Sequence, residues 1–138
     1  MGLAPLAVVL VLLSPMAGQP RGQQDAPGFY ECTARTRSVA APTVGLTLCD
    51  ARPTAALERT TAEGIQRREG ALVLEIDAQG LAAREGLMRG DLIYRVSGTP
   101  VTTAAEAAAR LDQITPARDT VVNFLRGGRP YRVQLRRE

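Results

Sequence analysis

Residues 69–106 read EGALVLEIDAQGLAAREGLMRGDLIYRVSGTPVTTAAE. Within Ala71 to Ile76, Leu72, Leu74 and Ile76 alternate with their neighbours, the period of a strand with one buried face. Leu81 to Glu85 reads as a short helical turn. Gly86 ends it with a positive φ, and Leu87 then turns inward. Gly90 permits a tight turn before a buried strand. Asp91 is suited to accepting backbone N–H groups in that turn, and is read as a turn residue rather than a catalytic acid. Leu92 to Val96 is the next strand. Ser97-Gly98 makes a turn, and Val101 falls in a further short strand. A longer helix is expected over Thr103–Ile114. Thr102 or Thr103 caps it, Ala107, Leu111 and Ile114 recur at helical spacing, and Pro116 lies just beyond.

Working outward, Thr120–Leu125 and Tyr131–Leu135 flank Arg126-Gly127-Gly128-Arg129, a hairpin signal. Tyr131, Val133 and Leu135 share one face there, and Arg132, Gln134 and Arg136 the other. On the N-terminal side Val44, Leu46 and Leu48 alternate. Thr54–Thr61 has the texture of another short helix. Strands and helices without strict alternation imply a small α+β fold.

The combination of Ala-Ala-x-x-Gly-Leu (82–87) and Gly-Asp-x-Ile (90–93) with the turn that follows resembles the PDZ domain, most nearly the bacterial type of HtrA/Do-like serine proteases. The resemblance runs from about Thr43 to Leu135. It implies a small antiparallel β-sandwich or partly open barrel of five to six strands with two helices. The chain is expected to carry this module without a protease domain.

In that family an apolar-Gly-apolar element holds a peptide's terminal carboxylate, and here Val44-Gly45-Leu46 matches it. The chemistry needs only converging backbone N–H donors, which oriented amides supply. Gly45 is expected to let the backbone approach the ligand. The groove would continue through Thr47 and Leu48, with Val44, Leu46 and Leu48 lining it and Gly45, Thr47 and Cys49 facing away. The ligand would add as a strand beside Thr47. Family groove positions transfer to Ala104, Ala108 and Leu111 on the long helix, so the pocket should take hydrophobic end residues. Family members that prefer Ser or Thr two residues before the terminus carry His at the helix start; Ala104 stands there instead. The structural alternative for these alanines is core packing.

Composition narrows the remaining classes. All 17 basic residues are Arg, and the chain has no His and no Trp. An imidazole base, a Ser-Lys dyad, a Schiff base and a His metal ligand are therefore all missing, and neither enzymatic activity nor a metal or cofactor is expected. The formal net charge is only +3, with 4% aromatics and no basic stripe. Nucleic acid is not an expected partner.

Leu6 to Leu13 is an unbroken apolar run, too short to span a bilayer, which takes about 20 residues. It is read as a secretory signal peptide over 1–18, followed by a linker and N-terminal strand segment over 19–42 and the PDZ domain over 43–138. An uncleaved N-terminal anchor is the alternative. Export would place Cys32 and Cys49 in an oxidising compartment, periplasmic or extracellular, where a pair is expected to bridge; two free buried thiols are the other possibility. The functional expectation is an exported module binding peptide C-termini or extended strands. The alternatives are a regulatory component of a periplasmic HtrA-like protease or of a type II secretion system, and a degenerate domain with a blocked groove.

Overall fold

The computed structural model describes Gly2 and residues 28–33, 37–115 and 118–136. The apolar run 6–13, the expected cleavage region, most of the Gly- and Gln-rich linker and Pro116 lie outside the described residues. The strands are β1 (Tyr30–Cys32), β2 (Val39–Ala41), β3 (Leu46–Pro53), β4 (Gly70–Ile76), β5 (Leu92–Val96), β6 (Thr99–Pro100), β7 (Thr120–Arg126) and β8 (Arg129–Leu135). The helices are α1 (Ala55–Glu58), α2 (Leu81–Arg84) and α3 (Ala104–Leu111). The sheet is antiparallel along β1-β3-β4-β5-β7-β8, with β2 also on β3 and β6 on β5. Five strands of this path, β3, β4, β5, β7 and β8, are those expected, and β1 and β2 from the N-terminal segment add to them. Val101 lies just after β6 rather than in it, and its N–H donates to the Tyr94 carbonyl.

Alternation along the strands divides the apolar residues between two cores. Val73, Ile93, Val122 and Phe124 face one side, where α3 covers them with Ala104, Ala107, Ala108 and Leu111. Their neighbours Leu72, Leu92 and Leu125 face the other, with Tyr30, Cys49, Ala51 and Leu57. One expectation is corrected here. Leu72 and Leu74 share a face, but Ile76 packs on the α3 side with Val73. Opposite Leu48 and Thr47 stand Val73 and Glu75, so Leu74 is an extra residue in the ladder. An unpaired residue of this kind switches the face of everything beyond it.

Gly127 and Gly128 join β7 to β8 with φ of +60° and +80°, the two positive values that a tight two-residue hairpin turn requires. The shared face expected of β8 runs out along the strand: Leu135 is buried, Val133 half-buried, and Tyr131 is exposed, stacked on its cross-strand partner Phe124 at 5.9 Å.

Asp91 is 1% exposed. Its Oδ2 accepts from the Met88 N–H at 2.8 Å, the turn role expected of it. Its other partner is Arg126, whose Nε and a terminal nitrogen reach the two carboxylate oxygens at 2.8 Å each. Arg126 also donates to the Gly86 carbonyl at 2.8 Å, so one guanidinium ties the end of β7 to the 86–91 turn. The hydrogen bond to Asp91 holds the Arg126 pKa above its ordinary value.

Candidate peptide-binding groove

The loop 44–46 is positioned by its carbonyls. The Val44 carbonyl accepts from Ala82 N–H at 3.0 Å and the Gly45 carbonyl from Asp77 N–H at 2.9 Å. Gly45 has a φ of +77°, and a side chain on it would meet Asp77 Cβ at 3.0 Å and Gly80 Cα at 3.2 Å. Gly45 therefore permits a close approach to the 77–80 turn. With their carbonyls engaged on that side, the Val44 and Gly45 amides converge on one oxygen, the Ala41 carbonyl, at 3.3 and 3.0 Å, and the Gly45 N–H also reaches the Pro42 carbonyl at 3.3 Å. Two amides on one oxygen is the arrangement that suits an anion.

The expected walls come together. Val44, Leu46 and Leu48 share one buried cluster with Ala104, Ala108 and Leu111 of α3. The helix is pinned over the sheet near both ends. Asp50 Oδ1 accepts from the Ala104 N–H at 2.6 Å, and Asp112 Oδ1 from the Thr43 N–H at 3.4 Å. Of the two candidate caps, Thr103 serves, its Oγ1 accepting from the Glu106 N–H at 3.1 Å. Cys49 packs in the opposite cluster and is bridged to Cys32, with Cα atoms 5.7 Å apart. The bridge fastens β1 to β3.

The edge expected to lie free beside Thr47 is occupied. β2 pairs antiparallel with β3, Val39 opposite Leu48, Ala40 opposite Thr47 and Ala41 opposite Leu46. It also packs on α3: Ala41 is fully buried in the cluster, and Val39 is packed against it half-buried. Ala40 is exposed. The residues named as groove walls thus share one cluster, and the chain's own strand β2 lies against both β3 and α3. Residues 37–42 fall in the segment read as linker and N-terminal strand, with no strand expected over 39–41. Three small residues before Pro42 show no periodicity that could mark a strand.

A second concavity of about 450 Å³ lies on the other side of the sheet, lined by Phe29, Tyr30, Leu74, Met88, Arg89 and Arg126 among others. It shares no residue with the groove.

No family model matches the chain. A probable periplasmic serine endoprotease, DegP-like, from Halomonas elongata is 32% identical over 65 residues, which is 47% of this chain and 14% of that protein. Among solved structures, the HtrA3 PDZ domain bound to a phage-derived ligand, FGRWV, aligns with a TM-score of 0.53 at 18% identity, covering 75% of this chain and 88% of that one. The HtrA-type protease AlgW with a decapeptide aligns at 0.52 and 20% identity, covering 73% of this chain and 29% of that one. The described residues adopt a PDZ-like fold, mostly antiparallel sheet with short helices. In sequence the chain is similar to part of a DegP-like protease, and it spans a minor share of the length of that protein and of AlgW.

Proposed function

We propose that this chain is an exported, non-enzymatic module that captures the C-terminal segment of another polypeptide in the slot between β3 and α3. One observation carries the reading: the Val44 and Gly45 amides converge on a single oxygen beside the apolar cluster that β3 and α3 share. A terminal carboxylate at the Ala41 oxygen's position would receive both. The ligand's last side chain would lie among Leu46, Leu48, Ala108 and Leu111, so its end residues are hydrophobic. The peptides in the HtrA3 and AlgW structures support the reading. The Cys32–Cys49 bridge and the similarity to a periplasmic protease support an extracytoplasmic location. The same similarity favours a second reading, in which the captured terminus belongs to an HtrA-like protease or one of its substrates.

The test is a fluorescence titration of the chain with one peptide in two forms, free acid and C-terminal amide. Capture of a carboxylate predicts affinity at least about tenfold weaker for the amide, the scale of one lost charge-assisted contact. Equal affinities would leave recognition of internal strands as the better account.

A further inference from the structure

We propose that β2 is a built-in competitor for the groove, a tethered imitation of the ligand that an incoming C-terminus must displace; this rests on the peptide-binding reading above. A peptide whose carboxylate sits on the 44–45 amides must run antiparallel to β3, towards the start of that strand. β2 runs in that direction. Its last residue presents its carbonyl oxygen to both amides and its methyl group to the slot. Val39, two residues earlier, falls on the same side by strand alternation, and Ala40 points out. Residues 39–41 thus occupy the groove as a terminal Val-Ala-Ala would, except that the chain continues through the 42–45 turn.

The strand's hold is slight. It spans three residue pairs, against the longer β3–β4 ladder behind it, and buries one methyl group and part of a valine. Short edge segments with few buried contacts open at low free-energy cost. Both ends are tethered, one by the 42–45 turn and the other by the six residues 33–38 that lead back to the disulfide-bonded Cys32. Displacement therefore pushes β2 out as a loop, and its effective concentration returns it when the ligand leaves. The apparent affinity for an external peptide is reduced by the fraction of time the slot is filled. The ligand class follows from the occupant. A free C-terminus with an aliphatic residue at the end, and another two residues before it, makes every contact β2 makes. It adds a full carboxylate in place of a carbonyl oxygen.

The probe is a fluorescent peptide copying residues 37–41, RSVAA with a free C-terminus, titrated into full-length chains. Ala41→Asp cannot bury its charge in the slot and ejects β2. Val39→Asp does the same from a half-buried site and guards against misfolding of the first variant. Ala40→Cys with Thr47→Cys, oxidised across a directly paired position, holds β2 in place. The ejected variants should bind at least about tenfold tighter than the parent chain. The crosslinked chain should not bind until reductant is added, with the parent chain under reductant as control. Equal binding by parent, ejected and crosslinked chains overturns the competitor and leaves peptide capture standing. No binding by any folded chain, amide exchange of the β3–β4 ladder being the check on folding, overturns peptide capture and the competitor with it.

Discussion

Two hairpins border this sheet, and they are built on opposite terms. β7 and β8 pair over seven residues from Thr120↔Leu135 to Arg126↔Arg129 and close through two glycines. β2 and β3 pair over three and close through the 42–45 turn, whose amides point back at Ala41. The first is fastened at its turn end by Arg126, which grips the buried carboxylate of Asp91. The second is fastened mainly by tethers, with little buried surface of its own. A long ladder with local turn chemistry gives permanence. A short strand on a ready-made edge gives a contact that another chain can replace, because main-chain pairing does not depend on which chain supplies it.

The sharpest way to break this contrast is one substitution in each region. Gly45→Val places a branched side chain at a φ of +77°, against Asp77 and Gly80. It should cost about 3 kcal/mol, from backbone strain and overlap together, and abolish peptide binding because the 44–45 amides lose their aim. Arg126→Met removes the partner of a buried carboxylate and should cost about 2 kcal/mol. The figure is at the low end because the Arg126 side chain is 39% exposed. Peptide affinity should stay within about twofold of the parent, since the side-chain hydrogen bonds of Arg126 go to Asp91 and Gly86 and to no groove residue. Denaturant melts paired with peptide titration check both; loss of binding in Arg126→Met at full folding would mean the two regions are coupled.

The next effect concerns the tether. Cys32→Ser opens a loop closed across 17 positions and should cost about 3 kcal/mol by the chain-entropy argument. Peptide affinity should move the opposite way, rising about threefold, because β2 loses its N-terminal anchor and spends less time in the slot. Thermal melts with and without reductant, followed by titration at a temperature where the variant is folded, separate the two effects. A fall in affinity that tracks the fall in stability would show that the arm supports the groove rather than competes for it.

The contrast also explains what could be read from the sequence. The β7–β8 hairpin was legible because its signals are local: Gly127-Gly128 between alternating apolar residues. Gly86, Gly90 and Asp91 were legible for the same reason. The family resemblance also named Leu46, Leu48, Ala104, Ala108 and Leu111 together, and they do share one cluster. The occupancy of the groove was not, because Val39-Ala40-Ala41 takes its structure from the edge it lands on. The turn of Ile76 towards α3 was not, because a bulge is a property of pairing. Nor was Arg126 as the partner of Asp91: the two lie 35 positions apart, and a chain with 17 arginines offers no local reason to choose that one.

The smallest effect tests how firmly the arm on the N-terminal side of β2 is seated. Tyr30 of β1 is 7% exposed, and its hydroxyl is buried with no hydrogen-bond partner among the described residues. Burial pushes its pKa up to about 12, since the phenolate cannot be solvated there. In the unfolded chain the same group ionises near the ordinary tyrosine value of 10.0. Below that value the phenol is neutral in both states and the shift has no effect. As pH rises past 10 the unfolded chain gives up its proton first, so stability falls until the folded pKa is reached. Tyr30→Phe removes that alkaline loss. At pH 7 it should change stability by less than about 1 kcal/mol, towards greater stability, because an unsatisfied polar group leaves the core. Melting both chains from pH 7 to pH 11.5 isolates the residue, since everything else that titrates is shared. The two curves should run together to about pH 9.5 and then separate, the parent falling faster. Curves that stay parallel would mean that the Tyr30 hydroxyl meets water, and that the arm between the disulfide and the linker is looser than the packing around Leu57 and Leu72 implies.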